Sequence, residues 1–167
     1  PDVLCLSCYL WNITEVGQIL RETAKILSKT AIWLGGPEVS YNAREVLEKY
    51  PMVQGIMKGE GEESFTELVA YYGKLKERKQ LRDIEGLMFR DENGEIIETE
   101  NRPILDLSTV PFVYEHIEDF QNRIIYYESS RGCPFSCSYC LSSIDKSLRF
   151  RKIELVKKEL QFFIDHE

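Results

Sequence analysis

Apolar positions recur along the first half of the chain with two different periods. Val3 to Cys8 is a near-continuous apolar run, as expected for a strand buried on both faces. From Ile13 the spacing changes. Ile13, Val16, Ile19, Leu20, Ala24 and Leu27 form a stripe at helical spacing, and Asn12 and Thr14 offer helix-starting oxygens. Ala31 to Leu34 predicts a second strand, stopped by Gly35-Gly36-Pro37, and Ala43 to Tyr50 a short helix closed by Pro51. Gly55-Ile56-Met57 predicts a third strand and Ser64 to Tyr72 a third helix. Strands alternating with helices imply a parallel sheet with helices on both faces.

The period then changes again. Gly86 to Arg90 and Glu95 to Thr99 flank Asp91-Glu92-Asn93-Gly94, a β-hairpin pattern in which Asn-Gly supplies the positive φ of the turn. The stretch from Pro103 to Pro111 holds two prolines and no lasting period, and reads as a linker over the surface. Beyond it, Ile124 to Tyr127 predicts a strand, and a helix is expected from about Ile153 with Val156, Leu160, Phe163 and Ile164 facing inward. The expected organisation is an α/β domain over 1–80, a hairpin extension over 81–102, a linker over 103–122 and a further domain beginning in 123–167. No internal repeat or low-complexity tract interrupts it.

Composition narrows the function classes. Of 167 residues, 43% are hydrophobic and 11% aromatic, which suits a globular protein with a packed core. Twenty-eight acids against 21 bases give a net charge of −7, which disfavours electrostatic capture of nucleic acid or anionic lipid. The basic cluster Lys74 to Lys79 reads as a solvated helix end. No apolar run is long enough to span a membrane. Five cysteines, three of them clustered, suit metal binding in a reducing cytoplasm better than a disulfide framework. Cys5 and Cys8 read as core packing for an apolar strand. The chain opens with Pro1 directly before a strand and stops beside a helical pattern, so it reads as an internal piece of a longer polypeptide.

The clustered cysteines carry the strongest chemical signal. Arg131-Gly132-Cys133-Pro134-Phe135-Ser136-Cys137-Ser138-Tyr139-Cys140 contains a C-x3-C-x2-C triplet with an aromatic before the last thiol. A structural zinc or a fully protein-ligated iron–sulfur cluster takes four ligands, so three leave one metal position open for a small molecule. Neither His116 nor His166 stands at close ligand spacing to the triplet, which weakens a zinc site as the alternative. The triplet, with Tyr139 and the Arg131–Pro134 entry, resembles the radical S-adenosylmethionine (SAM) superfamily. That resemblance implies a [4Fe-4S] cluster on Cys133, Cys137 and Cys140. It also implies SAM bound at the open iron, with Tyr139 beside it, and reductive SAM cleavage that starts radical chemistry.

In a parallel sheet, loops at the carboxyl ends of the strands form the binding edge. Two of them are Ser7-Cys8-Tyr9-Leu10-Trp11-Asn12 and Leu34-Gly35-Gly36-Pro37-Glu38. A diglycine there serves either a tight turn or a close backbone approach to a ligand. Trp11 is the better stacking candidate of the two tryptophans because it sits in this loop. Together with Gly59-Glu60-Gly61-Glu62, the loops resemble the cobalamin-binding domain found ahead of many radical SAM barrels. The resemblance implies cofactor contacts from Ser7, Tyr9, Gly35 and Gly36. The D-x-H-x-x-G loop that carries that family's cobalt-ligating histidine has no counterpart here.

The fold class expected is therefore α/β: a partial doubly wound, cobalamin-binding-type sheet with a hairpin, followed by the first βα unit of a radical SAM partial barrel. Among known families the pattern is similar to the anaerobic magnesium-protoporphyrin monomethyl ester cyclase-like proteins. Expected cofactors are the cluster, SAM and cobalamin. Expected partners are a small-molecule substrate, an external electron donor and a second copy of the chain, with no membrane, in the cytoplasm. The substrate and catalytic residues are not encoded in these positions, and this piece by itself is expected to have no turnover. Competing readings are a non-catalytic cobalamin- or nucleotide-binding module and a zinc-binding structural domain.

Overall fold

The computed structural model describes residues 1–141 and 147–166. It divides into two compact units, Pro1–Ile104 and Leu105–Glu167.

In the first unit five strands lie side by side in chain order: β1 (Val3–Ser7), β2 (Ala31–Gly35), β3 (Val53–Met57), β4 (Leu87–Arg90) and β5 (Ile96–Glu98). The first three are mutually parallel; β4 and β5 add as an antiparallel hairpin on the β3 edge. The hairpin thus extends the same sheet rather than standing beside it. In its turn Gly94 takes the positive φ, while Asp91 Oδ1 accepts from the Asn93 and Glu95 amides. Helices α1 (Ile13–Ile26), α2 (Pro37–Ser40) and α3 (Ala43–Lys49) connect the parallel strands, and α4 (Glu62–Tyr72) follows β3. The short α2 lies within what the sequence offered only as a loop, and it begins with proline at its first position, where no amide is needed.

The period of two along β2 sorts its side chains between two cores. Ile32 and Leu34 pack with Val16 and Leu20 of α1, Val39 of α2 and Val46 and Leu47 of α3. Trp33 points the other way, into Leu68, Tyr71 and Tyr72 of α4 and Leu87 and Phe89 of β4. It is fully buried, and its Nε1 donates to the Tyr72 hydroxyl at 2.8 Å. The indole lies across Gly55 of the neighbouring strand, where a Cβ would collide with the ring and come within 2.8 Å of Phe89 Cβ. Arg102, where the chain leaves β5, donates to Glu63, Ser64 and Glu67 of α4 and ties the hairpin exit to that helix.

The second unit is built differently. Ile124–Tyr127, expected as a strand, is not one. An isolated strand has no ladder for its backbone groups, and none of the described strands lies beside it. The described strands of this unit are β6 (Ser130–Arg131) and β7 (Arg149–Phe150), a two-residue antiparallel clasp, followed by α5 (Ile153–Asp165). The segment expected as a surface linker is packed from Leu105 onward. Leu105 and Leu107 are buried, and their carbonyls accept from Arg149 and Arg151. Phe112 and Tyr114 then join Phe162 and Phe163 in an aromatic cluster.

The phase of α5 also differs from expectation. Leu160 and Ile164 are exposed, whereas Glu159 is buried. Glu159 takes a two-pronged ion pair from Arg151, 2.5 Å at Oε1 and 2.9 Å at Oε2, and accepts from the Tyr127 hydroxyl at 2.5 Å. That carboxylate, not the apolar stripe, sets which face of the helix turns inward. Burial opposes its charge, but Arg151 and Tyr127 hold its pKa below the ordinary 4.5. Burial, and then the bond to Glu159, push Tyr127 up to about 12.

Two outcomes follow from these contacts. Gly55→Ala is expected to cost about 1–3 kcal/mol through overpacking against Trp33, read as a lower urea midpoint. Glu159→Ala leaves Arg151 buried without its counter-charge and should destabilise the second unit by about 3–5 kcal/mol. A carboxylate with a depressed folded pKa stabilises above its unfolded value and loses that contribution as pH falls through the folded one. Acid titration followed by near-ultraviolet circular dichroism should therefore show the wild-type second unit weakening below pH 4.5, with that transition absent from the variant.

Candidate functional site

The carboxyl ends of β1, β2 and β3 bring three loops to one edge of the first unit. Ser7 and Gly35 are register partners at the ends of adjacent strands, so an exposed hydroxyl stands beside bare backbone. The loops are stitched together. The Cys8 amide donates to Gly35 O at 2.7 Å, and the Glu38 amide returns to Cys8 O at 3.3 Å. Ser40 Oγ donates to Gly36 O at 2.8 Å and accepts from the Gly59 amide at 3.1 Å, joining the second loop to the third.

The two glycines have different work. Gly36 has φ +102°, and a Cβ there would lie 2.6 Å from Cys8 O, so only glycine permits the two loops to meet. A Cβ at Gly35 would make ordinary contact with Met57 at 3.5 Å. Gly36 is thus explained by loop–loop approach, and Gly35 leaves uncrowded backbone beside Ser7.

Tyr9 stacks on Trp11 with centroids 4.4 Å apart and planes 10° from parallel. Asn12 stands at the cap position of α1, as expected, but its side chain clamps this loop instead of bonding the helix amides. Its Oδ1 accepts from the Tyr9 amide at 2.7 Å and its Nδ2 donates to Ser7 O at 2.9 Å. The sequence carries no mark of Ser40 as a joint or of Asn12 as a clamp. A serine three residues after a proline, and an asparagine five after a serine, carry no signal until the loops meet.

Cys8 is fully buried beneath the edge, and burial pushes its thiol up to about 11. Cys5 packs into the core formed around Trp33, and burial raises its pKa too. Both are therefore poor metal ligands or nucleophiles.

The cysteine triplet lies in the second unit, between the clasp residue Arg131 and residue 141. Cys137 is exposed and Cys133 and Cys140 are half-buried; none of the three forms a disulfide. The Cys140 amide donates to Cys137 O at 3.1 Å, a turn that brings those two positions together in the chain. Tyr139 is 91% exposed. Among the described residues no group of three His, Cys, Asp or Glu side chains converges to hold a metal. The donor set nonetheless has the chemistry an iron–sulfur cluster takes: three thiols within eight residues on an accessible loop. His116 pairs with Glu118 at 3.7 Å and His166 stacks on Phe162.

For cobalamin the first unit offers a hydroxyl, uncrowded backbone and an aromatic pair at the sheet edge. Both histidines of the chain lie in the second unit, so residues 1–104 can hold the cofactor by its periphery but contribute no histidine to cobalt.

Fold and edge together define an α/β domain with a candidate ligand edge at the carboxyl ends of its three parallel strands. Residues 1–69 match the B12-binding domain, and the chain is homologous to cobalamin-dependent radical SAM enzymes. It is 27% identical, over its whole length, to the cobalamin-dependent radical SAM methyltransferase TokK of Streptomyces tokunonensis, and spans 26% of that protein. It is 28% identical over 84% of its length to an anaerobic magnesium-protoporphyrin IX monomethyl ester cyclase of Cereibacter sphaeroides, spanning 24% of it. The fold is similar to that of OxsB with aqua-cobalamin and S-adenosylmethionine bound, at a TM-score of 0.72 and 23% identity, covering 96% of this chain and 23% of that one. It is also similar to TsrM from Kitasatospora setae with cobalamin and a [4Fe-4S] cluster bound, at 0.66 and 16%, covering 99% and 36%. The chain therefore spans about a quarter to a third of the curated relatives it matches.

Thiol accessibility gives a direct check of both regions. Brief treatment of the folded chain with iodoacetamide at pH 8 should label Cys137 and leave Cys8 unmodified, as read by peptide mass spectrometry. Labelling of Cys8 at the rate of Cys137 would contradict its burial under the loops.

Proposed function

We propose that this chain is part of a cobalamin-dependent radical SAM enzyme, with cobalamin held at the edge of the first unit and a [4Fe-4S] cluster on Cys133, Cys137 and Cys140. The observation that carries this reading is the presence, on one chain, of a B12-binding domain and a triplet of non-disulfide thiols on an accessible loop. In the first unit, Ser7 would hydrogen-bond the nucleotide end of the cofactor while Gly35 gives it backbone contact. In the second, the three thiolates would ligate iron, and Tyr139 would lie over the open position. The bound cluster would supply the electron that cleaves S-adenosylmethionine. The clasp of β6 and β7 holds the start of the loop, and the Arg151–Glu159 pair fixes the helix that follows it.

On this reading the chain's partners are a small-molecule substrate and an external electron donor, in the cytoplasm. Methyl transfer and ring formation are both reactions named for its relatives. The competing reading, a cobalamin-binding module without chemistry, accounts for the first unit but gives no reason for three thiols on one loop.

Anaerobic reconstitution of the chain with iron and sulfide tests the assignment. About four irons and four sulfides per chain are expected, with loss of the cluster in Cys137→Ala. Zinc bound without sulfide would favour a structural metal site. Failure to bind either would leave the binding module as the better reading.

A further inference from the structure

We infer that Gly132 is a positioning residue of the cysteine loop: it lets the two ends of the loop lie backbone against backbone, and so aims Cys133 toward Cys137 and Cys140. This deepens the cluster reading and rests on it. Gly132 stands between the last rung of the clasp and the first thiol. It has φ +96°, and a Cβ there would lie 2.3 Å from Ser147 O and 2.9 Å from Ser147 C. Both are backbone atoms, so no side-chain rotation could make room. Only glycine permits this crossing.

The ends of the loop are held at their base. Ser130 pairs with Phe150 and Arg131 with Arg149, and the Arg151 amide donates to Ser129 O at 2.9 Å. On the outgoing side, Arg149 donates to Leu105 O at 2.9 Å and the Lys152 amide to Ser108 Oγ at 3.0 Å. On the incoming side, Glu128 takes a two-pronged bond from Arg131, 3.1 Å at Oε1 and 2.6 Å at Oε2. A methyl group at residue 132 could be admitted only by parting these strands.

Gly132 is where the chain leaves the ladder, and its positive φ sets the direction in which Cys133 departs. Pro134 follows, which restricts the backbone of Cys133 and leaves it little freedom to compensate. Cys137 and Cys140 are brought together by their own local turn. Cys133 is therefore the thiol whose place depends on the loop entry. With the loop ends already in contact, part of the entropy of gathering three ligands is lost on folding, before iron arrives.

Anaerobic reconstitution of the whole chain with iron and sulfide, as wild type, Gly132→Ala and Gly132→Asn, tests this role. Both variants should take up less iron and lose it to a chelator about tenfold faster. Clusters that do form in them should give a shifted electron paramagnetic resonance spectrum after reduction with dithionite, which a mere loss of stability would not cause. Asparagine tolerates positive φ but carries the same Cβ, so it should fail as alanine does. Near-ultraviolet circular dichroism of the aromatic cluster around Phe112 and Phe163 reports whether the second unit is folded. Wild-type uptake, retention and spectrum in Gly132→Ala overturn the role. Recovery in Gly132→Asn overturns it too, because φ and not the crossing would then be what matters. Loss of the near-ultraviolet signal in both variants also overturns it, since Gly132 would then serve folding alone. If the wild-type chain takes up no iron with sulfide, the cluster reading falls and the role of Gly132 falls with it.

Discussion

Everything at the ligand edge depends on β2 being buried on both faces. Its apolar residues cannot face water on either side, so α1 to α3 must cover Ile32 and Leu34 while α4 and the hairpin cover Trp33. The tightest point of that arrangement is the Trp33 ring over Gly55, which sets how closely α4 approaches the sheet. With both faces closed, the backbone left open to a ligand is where strands end. The loops after β1, β2 and β3 emerge there together because their strands are parallel and Ser7, Gly35 and Met57 pair at their ends.

Those loops are mutually bonded rather than independently flexible. Cys8, Gly36 and Ser40 form the joints, and none has a side chain offered to a ligand: Cys8 is buried, Gly36 has none, and Ser40 bonds backbone on both sides. The residues that remain available are Ser7, Tyr9, Gly35 and Trp11. A site of this kind is preformed, which reduces the ordering cost of binding a large cofactor.

The second unit rests on a different principle. Its aromatic cluster is small, and many of its large apolar side chains, among them Ile124, Tyr126 and Phe150, are exposed. A buried ion pair with good geometry supplies orientation where apolar burial is limited. Arg151 joins the Leu107 backbone, Glu159 and, through that carboxylate, Tyr127. A buried pair of this sort contributes less to net stability than to specifying a single arrangement. Here it fixes the helix that follows the cysteine loop.

In the first unit the sequence alone determined the order of the strands and of the longer helices, because apolar strands and amphipathic helices leave strong periodic signals. The four-residue α2 is too short to leave one, and β1, expected to be buried on both faces, is a half-buried edge strand. The cysteine triplet and the diglycine were likewise legible, since their spacing is local. Tertiary structure decided what depends on partners distant in the chain. Ile124–Tyr127 has strand composition but lacks a ladder, and residues from Leu105 lack periodicity yet are drawn in by arginines more than forty positions later. Glu159 overruled the apolar stripe of its helix, because a buried carboxylate must lie where its guanidinium is. The separate tasks of Gly35 and Gly36 emerged only when Cys8 was brought against them, since a side-chain clash exists only between segments already folded together.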